Sequence, residues 1–343
     1  MHRPKITQEK AMKLHLAVLA ACTAAVACAV ASSAGAQTTS TGSGQAYPTK
    51  AVRIIVPYAA GGNTDLTARA LAEKLTPVFK QQVIVDNRPG GATNIGTEAV
   101  AKAAPDGYTL LMGGASNAIN MSLFAKPVYD TLRDFEPVAL CVQGANVLAV
   151  HPSLPARNLK ALIALAKARP GQLNYASSGI GSSNQMAAEL LKLMAQIDMV
   201  HVPYKGNAPA LTDLLGGHVE MIFAGVPALV PHITSGRIRA IAIGSLKRFS
   251  ALPKVPTFDE SGLKGYEATT WFGLLAPAKT PRDVVTRLNV EVDKVLKSAD
   301  IQQRFAHEGL EPMGGSPEDF AKFIRAEISK YEKVIKAAGI AKQ

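Results

Sequence analysis

The chain has 343 residues, of which 48% are hydrophobic and 6% aromatic, and its 37 Lys and Arg against 26 Asp and Glu give a formal net charge of +11. This apolar content is enough for one large or two medium-sized cores, which excludes an intrinsically disordered chain. The basic residues are spread thinly, without a run of five and without interleaved aromatic residues, which favours attraction of small anions over nucleic-acid binding.

The first 36 residues have the pattern of a secretory signal peptide. Basic residues precede an apolar run from Leu14 to Val30, and small residues follow, ending in the cleavage pattern Ala34-Gly35-Ala36. No second apolar stretch of about 20 residues follows, so we expect an exported, periplasmic protein with no membrane-spanning segment.

Two alternatives at this end stay open. Met12 could replace Met1 as the start, and Cys22 resembles a lipoprotein cysteine, although the residues after it continue apolar where a lipoprotein turns polar. Cleavage after Ala36 is the favoured prediction, and it leaves Cys141 as the single cysteine, so no intramolecular disulfide can form. Cleavage also removes four basic residues and one acidic residue, which leaves 33 Lys and Arg against 25 Asp and Glu, or a net charge of +8.

Strands and helices alternate after a Ser/Thr/Gly-rich tether at 37–46, which is typical of parallel βαβ units. Hydrophobic periodicity and turn residues predict three strands in the first part of the chain, at 52–58, 82–87 and 108–114. The helices between them are predicted to begin near Thr64, with Asn63 or Thr64 as the cap, and to cover 94–103.

The same alternation restarts at Val147, with a strand at 147–153, followed by further strands and short helices up to a strand at 237–245. Near the end of the chain, Thr280-Pro281 and Ser316-Pro317 each combine a capping hydroxyl with a proline at the first helical position. The apolar faces of these last helices need a sheet to cover, so we expect the segment 270–277 to cross back to the first sheet. Two α/β lobes joined by two crossovers form a hinge.

Glycine-rich and hydroxyl-rich loops follow four of the predicted strands. The first is Pro57–Asp65, where Gly61-Gly62 stands between a strand and a helix and lets a ligand approach the backbone. The first-turn N–H groups of that helix have no intrahelical acceptor, and the helix end carries partial positive charge, so the loop suits a carboxylate or phosphate. We expect Asp65 to turn away from such an anion and back onto first-turn N–H groups. The other three loops lie at 113–120, 176–185 and 202–210.

Several long motifs, in this order, carry a resemblance to a known family. They are "YPTKAVRIIVPYAAGGNTDLTARALAEKL", "VDNRPGGATNIGTEAVAKAAPDGYTLL", "YASSGIGSSNQMAAELL", "VPYKGNAPALTDLLGGHVEMIF" and "PTFDESGLKGYEATTWFGLLAPAKTP". Together they cover essentially all of residues 47–339 and resemble the Bug-type receptors, the periplasmic solute-binding components of tripartite tricarboxylate transporters.

The resemblance implies an α/β fold of the two-lobe, type II-like periplasmic binding class, with lobe 1 at 47–143 plus 273–343 and lobe 2 at 144–272. It implies a small carboxylated solute (amino acid, di- or tricarboxylate, or aromatic acid), held near the loop Tyr58–Asp65 by backbone groups, small polar groups and ordered water. Membrane transporter subunits are the implied partners. We expect a monomer that needs no cofactor. The predicted ligand-binding residues are Tyr58, Ala60, Gly61, Gly62, Asn63, Thr64, Asp65, Ser116, Asn117, Ser177, Ser178, Gly179, Ser182, Tyr204, Lys205 and Gly206.

Rival chemistries have weaker support. A secreted serine hydrolase would use Gly61-Gly62 as an oxyanion hole and Ser178 or Ser182 as nucleophile, but no G-x-S-x-G elbow surrounds these serines. A dinucleotide site lacks the third glycine of its motif, because Asn184 occupies that position. Five isolated histidines carry no metal-ligand spacing: His151, His201, His218, His232 and His307.

Three single residues have a structural interpretation beside a functional one. Cys141 lies in an apolar segment and is interpreted as a buried small hydrophobe. Trp271 is expected to pack in the core at the hinge rather than line a pocket. Lys205 could lean toward an anionic ligand or be an ordinary solvated lysine, and the sequence leaves both open.

Overall fold

Two β-sheets share one long strand, which runs from the first sheet into the second. The computed structural model describes residues 47–343, which form one compact unit. The strands are β1 (Val52–Val56), β2 (Val83–Asn87), β3 (Thr109–Gly114), β4 (Phe135–Val150), β5 (Asn174–Ser177), β6 (Val200–Pro203), β7 (Met221–Gly225), β8 (Arg239–Ile243), β9 (Thr269–Pro277) and β10 (Leu310–Pro312).

The helices alternate with these strands, as the βαβ pattern predicts. They are α1 (Asn63–Phe79), α2 (Asn94–Ala101), α3 (Ala115–Leu123), α4 (Leu159–Ala168), α5 (Ser183–Ala195), α6 (Asn207–Leu215), α7 (Val226–Thr234), α8 (Arg282–Lys297), α9 (Ala299–His307) and α10 (Pro317–Ala337). None of these helices is long and apolar enough to cross a membrane.

The first sheet has the order β2-β1-β3-β9-β4, with β10 added along β4. Its strands β1, β2 and β3 are parallel, and β9 joins them antiparallel to β3. The second sheet places β7 beside β4, followed by β5 and β6, and β8 also pairs with β4. In this sheet β5 is parallel to β6 and β7. The loops after the parallel strands therefore gather at one edge of each sheet.

Helices cover both faces of the first sheet because its strands are apolar on both sides. On β1, Ile54 packs into a cluster with α1 and α8, while the next residue, Ile55, packs into a separate cluster with α3 and α10. The second sheet is covered in the same way, with Leu148 on one face of β4 and Val147 on the other. Each sheet thus has its own core, joined through β4 and β9.

Two strands, β4 and β9, run from one sheet to the other or along their junction. Strand β4 pairs with β9 up to Ala145 and with β7 from Asn146 onward, and the predicted return strand at 270–277 is β9. The lobe limits at 143 and 273 stay a prediction. The predicted signal peptide and tether lie outside the described residues.

Three details of the prediction are wrong. The strand expected at 147–153 begins twelve residues earlier, at Phe135. Helix α7, which contains prolines 227 and 231, was not predicted. Thr280 does not cap α8: its hydroxyl donates to the carbonyl of Pro277 (2.7 Å), and Pro281 occupies the cap position without a side-chain bond. At α10 the prediction is confirmed, since Ser316 Oγ accepts from the Asp319 N–H (3.1 Å).

The two core residues singled out from the sequence are buried. Trp271 has no exposed surface, and its indole Nε1–H donates to Glu327 Oε2 (3.0 Å). Cys141 is a free, fully buried thiol, and burial raises its pKa to about 12. Both therefore contribute to packing rather than to a solvent-facing site.

Candidate functional site

The loop between β1 and α1 presents backbone rather than side chains. Helix α1 begins at Asn63 with Gly62 as its cap, so the predicted caps Asn63 and Thr64 are wrong by one and two residues. Gly62 has extended angles (φ −83°, ψ 167°), whereas Gly61 has the left-handed value φ +84°. Because glycine has no capping side chain, the first N–H groups of α1 stay available to an anion.

Asp65 holds this loop from behind. Its Oδ2 accepts from the Gly61 N–H (2.8 Å) and from Arg69 Nε (2.9 Å), and the side chain is 2% exposed. The expectation that it turns away from the cleft agrees with these bonds, but the amide that it holds belongs to the loop and not to the first turn of α1. Burial alone would raise the pKa of Asp65, yet the hydrogen bonds from Arg69 and Gly61 outweigh burial and lower the pKa.

Tyr58 and Ala60 complete the first loop. The Tyr58 side chain is half-buried, and burial raises its pKa although a hydrogen bond with Ser116 opposes this shift. Ala60 is exposed, and Thr64 is buried in the first turn of α1.

The loop after β3 approaches the second sheet. Ser116, in the first turn of α3, donates from Oγ to the carbonyl of Gly181 (3.4 Å), which follows β5. Asn117 is fully buried, with its Oδ1 accepting from the Gly114 N–H (2.9 Å) and its Nδ2 donating to Thr97. Ser116 thus lies where the loops of the first sheet meet those of the second sheet. Asn117 fixes the start of α3.

The loop after β5 is tied together by its own hydroxyls. Ser182 caps α5, and its Oγ also donates to the carbonyl of Gly179 (2.6 Å). Ser178 Oγ donates to Asn184 Oδ1 (3.0 Å), and Asn184 Nδ2 in turn donates to the carbonyl of Phe223 (2.7 Å) in the middle of β7. Asn184 Nδ2 also donates to Asn207 Oδ1 (3.5 Å), at the start of α6, so Asn184 connects the loops after β5 and β6.

The loop after β6 is held against the loop after β5. The Gly206 N–H donates to the carbonyl of Ser178 (3.1 Å), and Gly206, with φ +115°, caps α6. Tyr204 turns its hydroxyl to Asp213 Oδ2 (2.6 Å), on the side of α6. Lys205 is exposed, and within residues 47–343 it forms no ion pair, which agrees with an ordinary solvated lysine.

A second contact between the two sheets, which the sequence did not predict, joins Asn63 to Gly225. A Cβ on Gly225, the cap of α7, would lie 3.2 Å from Asn63 Nδ2, so the Asn63 side chain lies against the end of β7. Gly225 ends an apolar strand, and a glycine in that position indicates a loop open to a ligand. It was overlooked because the helix that follows it, α7, was not predicted. Glycines 90 and 91 follow strand β2 in the same way, and they were not included among the predicted loops either.

Loops of the two sheets therefore meet at two places, Asn63 with Gly225 and Ser116 with Gly181. Five helices begin at these loops: α1, α3, α5, α6 and α7. Their N-termini supply amide donors and partial positive charge without a buried cation. Two surface cavities of about 320 and 440 Å³ are lined by other residues, so the candidate site is defined by the loops rather than by these cavities.

The geometry does not favour the serine-hydrolase alternative. Neither Ser178 nor Ser182 bonds to a histidine within residues 47–343. In the same loop, Ser177 Oγ lies 2.7 Å from His201 Nε2, but Ser177 has no exposed surface and also accepts from the Gly179 N–H. A buried, engaged hydroxyl cannot reach a substrate.

Two hinged α/β lobes with amide-rich loops facing each other define a solute-binding protein of the two-lobe periplasmic class. The chain belongs to the family described as "Tripartite tricarboxylate transporter family receptor", which it matches over residues 67–340. It is therefore a solute-binding receptor, and members of this family are periplasmic binding proteins.

Relatives of similar length support this assignment. Protein BugT of Bordetella pertussis is 38% identical over 299 residues, covering 87% of this chain and 92% of BugT. Among solved structures, Rpa4515 of R. palustris with adipate is 39% identical with a TM-score of 0.81, covering 87% of this chain and all of that one. MatC from Rhodopseudomonas palustris with bound malate is 31% identical with a TM-score of 0.77, covering 84% of this chain and all of MatC.

Proposed function

We propose that this receptor captures a small dicarboxylate between its two lobes in the periplasm and delivers it to membrane transporter subunits, acting as a monomer and without chemical conversion of the solute. The observation that carries the proposal is the meeting of helix N-termini from both sheets at Asn63–Gly225 and Ser116–Gly181. Donors on both sides of one cleft suit a solute with an anionic group at each end.

The charge of the site supports an anion held by neutral groups. The predicted ligand-binding residues include a single cation, the exposed Lys205, and a single carboxylate, Asp65, which is bonded to Arg69. Backbone amides fixed by the fold neutralise an anion without leaving an unpaired buried charge in the empty cleft. The two relatives whose structures hold adipate and malate support the dicarboxylate class.

A thermal-shift screen of mono-, di- and tricarboxylates tests this function. A true ligand at 100 times its dissociation constant stabilises the folded state by about 2.7 kcal/mol. We expect stabilisation by at least one dicarboxylate and none by the corresponding diamide, which keeps the shape but loses the charge. Recovery of the solute unchanged after incubation would support a receptor without catalytic activity. Stabilisation by the diamide as well would contradict recognition of the carboxylates.

A further inference from the structure

A cavity of about 440 Å³ lies at the end of the second sheet that is opposite the candidate site. Strand β4 is antiparallel to β7, so Asn146 lies beside Gly225 at the candidate site, whereas Val150 lies at the far end of the pair. The cavity is lined by residues that follow β4 and by Arg239 of β8, which pairs with Val150. A molecule in this cavity would therefore not compete with a solute between the lobes.

Arg239 is fixed in the cavity wall by backbone carbonyls. Its Nη1 donates to the carbonyls of Ala156 (3.2 Å) and Leu154 (3.4 Å), and its Nη2 donates to the carbonyl of Pro152 (3.5 Å). These oxygens orient the guanidinium but carry no net charge, so they do not neutralise it. A guanidinium has five N–H donors, and the two that the carbonyls leave over are available to a ligand.

Two further features add positive potential to the same cavity. Arg157 lines it and is exposed, and Ala161 lines it from the first turn of α4, where the helix end carries partial positive charge. No acidic residue lines the cavity, and neither arginine forms an ion pair in the part of the chain that the structure describes. Glu220, which starts the neighbouring segment, accepts from the Asn174 N–H (2.9 Å) on β5. The cavity thus holds two cations without a carboxylate.

We propose that this cavity is a second anion site, which binds a phosphate group, either of a small phosphate monoester or of inorganic phosphate. A phosphate with up to two negative charges balances both guanidinium groups, whereas a single carboxylate balances one. The planar fork of a guanidinium matches two phosphate oxygens, and a helix start suits the same anion. The inference is independent of the proposed function, because the cavity lies outside the cleft.

Calorimetry at low ionic strength with glycerol 3-phosphate, inorganic phosphate and uncharged glycerol tests the inference. We expect the parent protein to bind both phosphates and not glycerol, and the tighter of the two phosphates identifies the source of the group. Arg157→Gln should weaken phosphate binding by about tenfold or more, because a hydrogen bond between charged groups is lost. Arg325→Gln is the matched control: it removes the same charge from an exposed arginine on α10 and should bind phosphate like the parent.

Gly62→Val separates this cavity from the cleft. The variant changes the loop after β1, so it should block a dicarboxylate and leave phosphate binding unchanged, whereas Arg157→Gln should do the reverse. Failure of the parent to bind either phosphate, or equal weakening by Arg157→Gln and Arg325→Gln, overturns the inference and leaves the proposed function intact. Loss of phosphate binding in Gly62→Val would place the phosphate in the cleft and overturn the inference as well.

Discussion

Asp65 shows how an acidic residue fits beside an anion site. It lies in the first turn of α1, where negative charge is favourable, and its carboxylate accepts from Gly61 and Arg69 instead of facing the cleft. Arg69 compensates its charge, so Asp65 does not repel a bound carboxylate at short range. The residue therefore shapes the backbone that we propose as the ligand site.

His201 should make stability depend on pH. Burial lowers its pKa to about 4, from an ordinary value near 6.5, so the unfolded chain binds its proton first as the pH falls. Stability should therefore be lost as the pH falls from about 6.5 to about 4, by less than about 1.4 kcal/mol per pH unit because the half-exposed ring is partly screened. Urea unfolding at several pH values measures this slope.

His201→Gln is the control for that prediction, because it removes the titration and keeps a polar group near Ser177. The slope between pH 6.5 and 4 should be shallower in this variant than in the parent. Identical slopes would show that other groups control the acid sensitivity.

At the residue scale, the sequence predicted the kinds of group in the site better than their individual contacts. The composition of the loop after β1 was sufficient to locate it, because glycines between a strand and a helix expose backbone. That Gly62 rather than Asn63 caps α1, and that Asn63 reaches Gly225, depends on how the two sheets face each other.

At the element scale, alternation of apolar runs and turn residues predicted the order of strands and helices, and tertiary pairing decided the exceptions. Strand β4 extends to Phe135 because it pairs with β9 along its first half, despite Pro137 and two register shifts. Helix α7 forms with Pro227 in its first turn, where the missing N–H is tolerated. Local propensity could not indicate either of these outcomes.

The packing of α10 on β9 gives an element-scale prediction. A Cβ on Gly273 would overlap Phe320 Cζ and lie 3.0 Å from the carbonyl oxygen of Ala139. Gly273→Ala should therefore force α10 away from the sheet and destabilise the protein by about 1–3 kcal/mol, measured by urea unfolding. Gly62→Ala is the control, since its Cβ meets only Ala59 O at 3.7 Å and its φ is ordinary. Equal stability of the two variants would contradict this close packing.

At the scale of the whole molecule, β4 and β9 join the two sheets near Ala145 and Thr269, where few residues could bend to open or close the cleft. We expect saturating dicarboxylate to reduce the radius of gyration in small-angle scattering, because contacts on both lobes favour the closed form. The corresponding diamide is the control. An unchanged radius with the bound dicarboxylate would contradict closure on the ligand.

The central claim is that backbone amides at the start of α1 hold a carboxylate, and calorimetry on Gly62→Val tests it most directly. The left-handed angle of this loop belongs to Gly61, and Gly62 has an extended conformation that valine tolerates. The variant should therefore fold, while its branched side chain stands in front of the exposed amides. We predict that a dicarboxylate bound by the parent shows no measurable heat with Gly62→Val and weakened binding with Gly62→Ala. Binding by Gly62→Val as tight as that of the parent would contradict the account and place the carboxylate elsewhere.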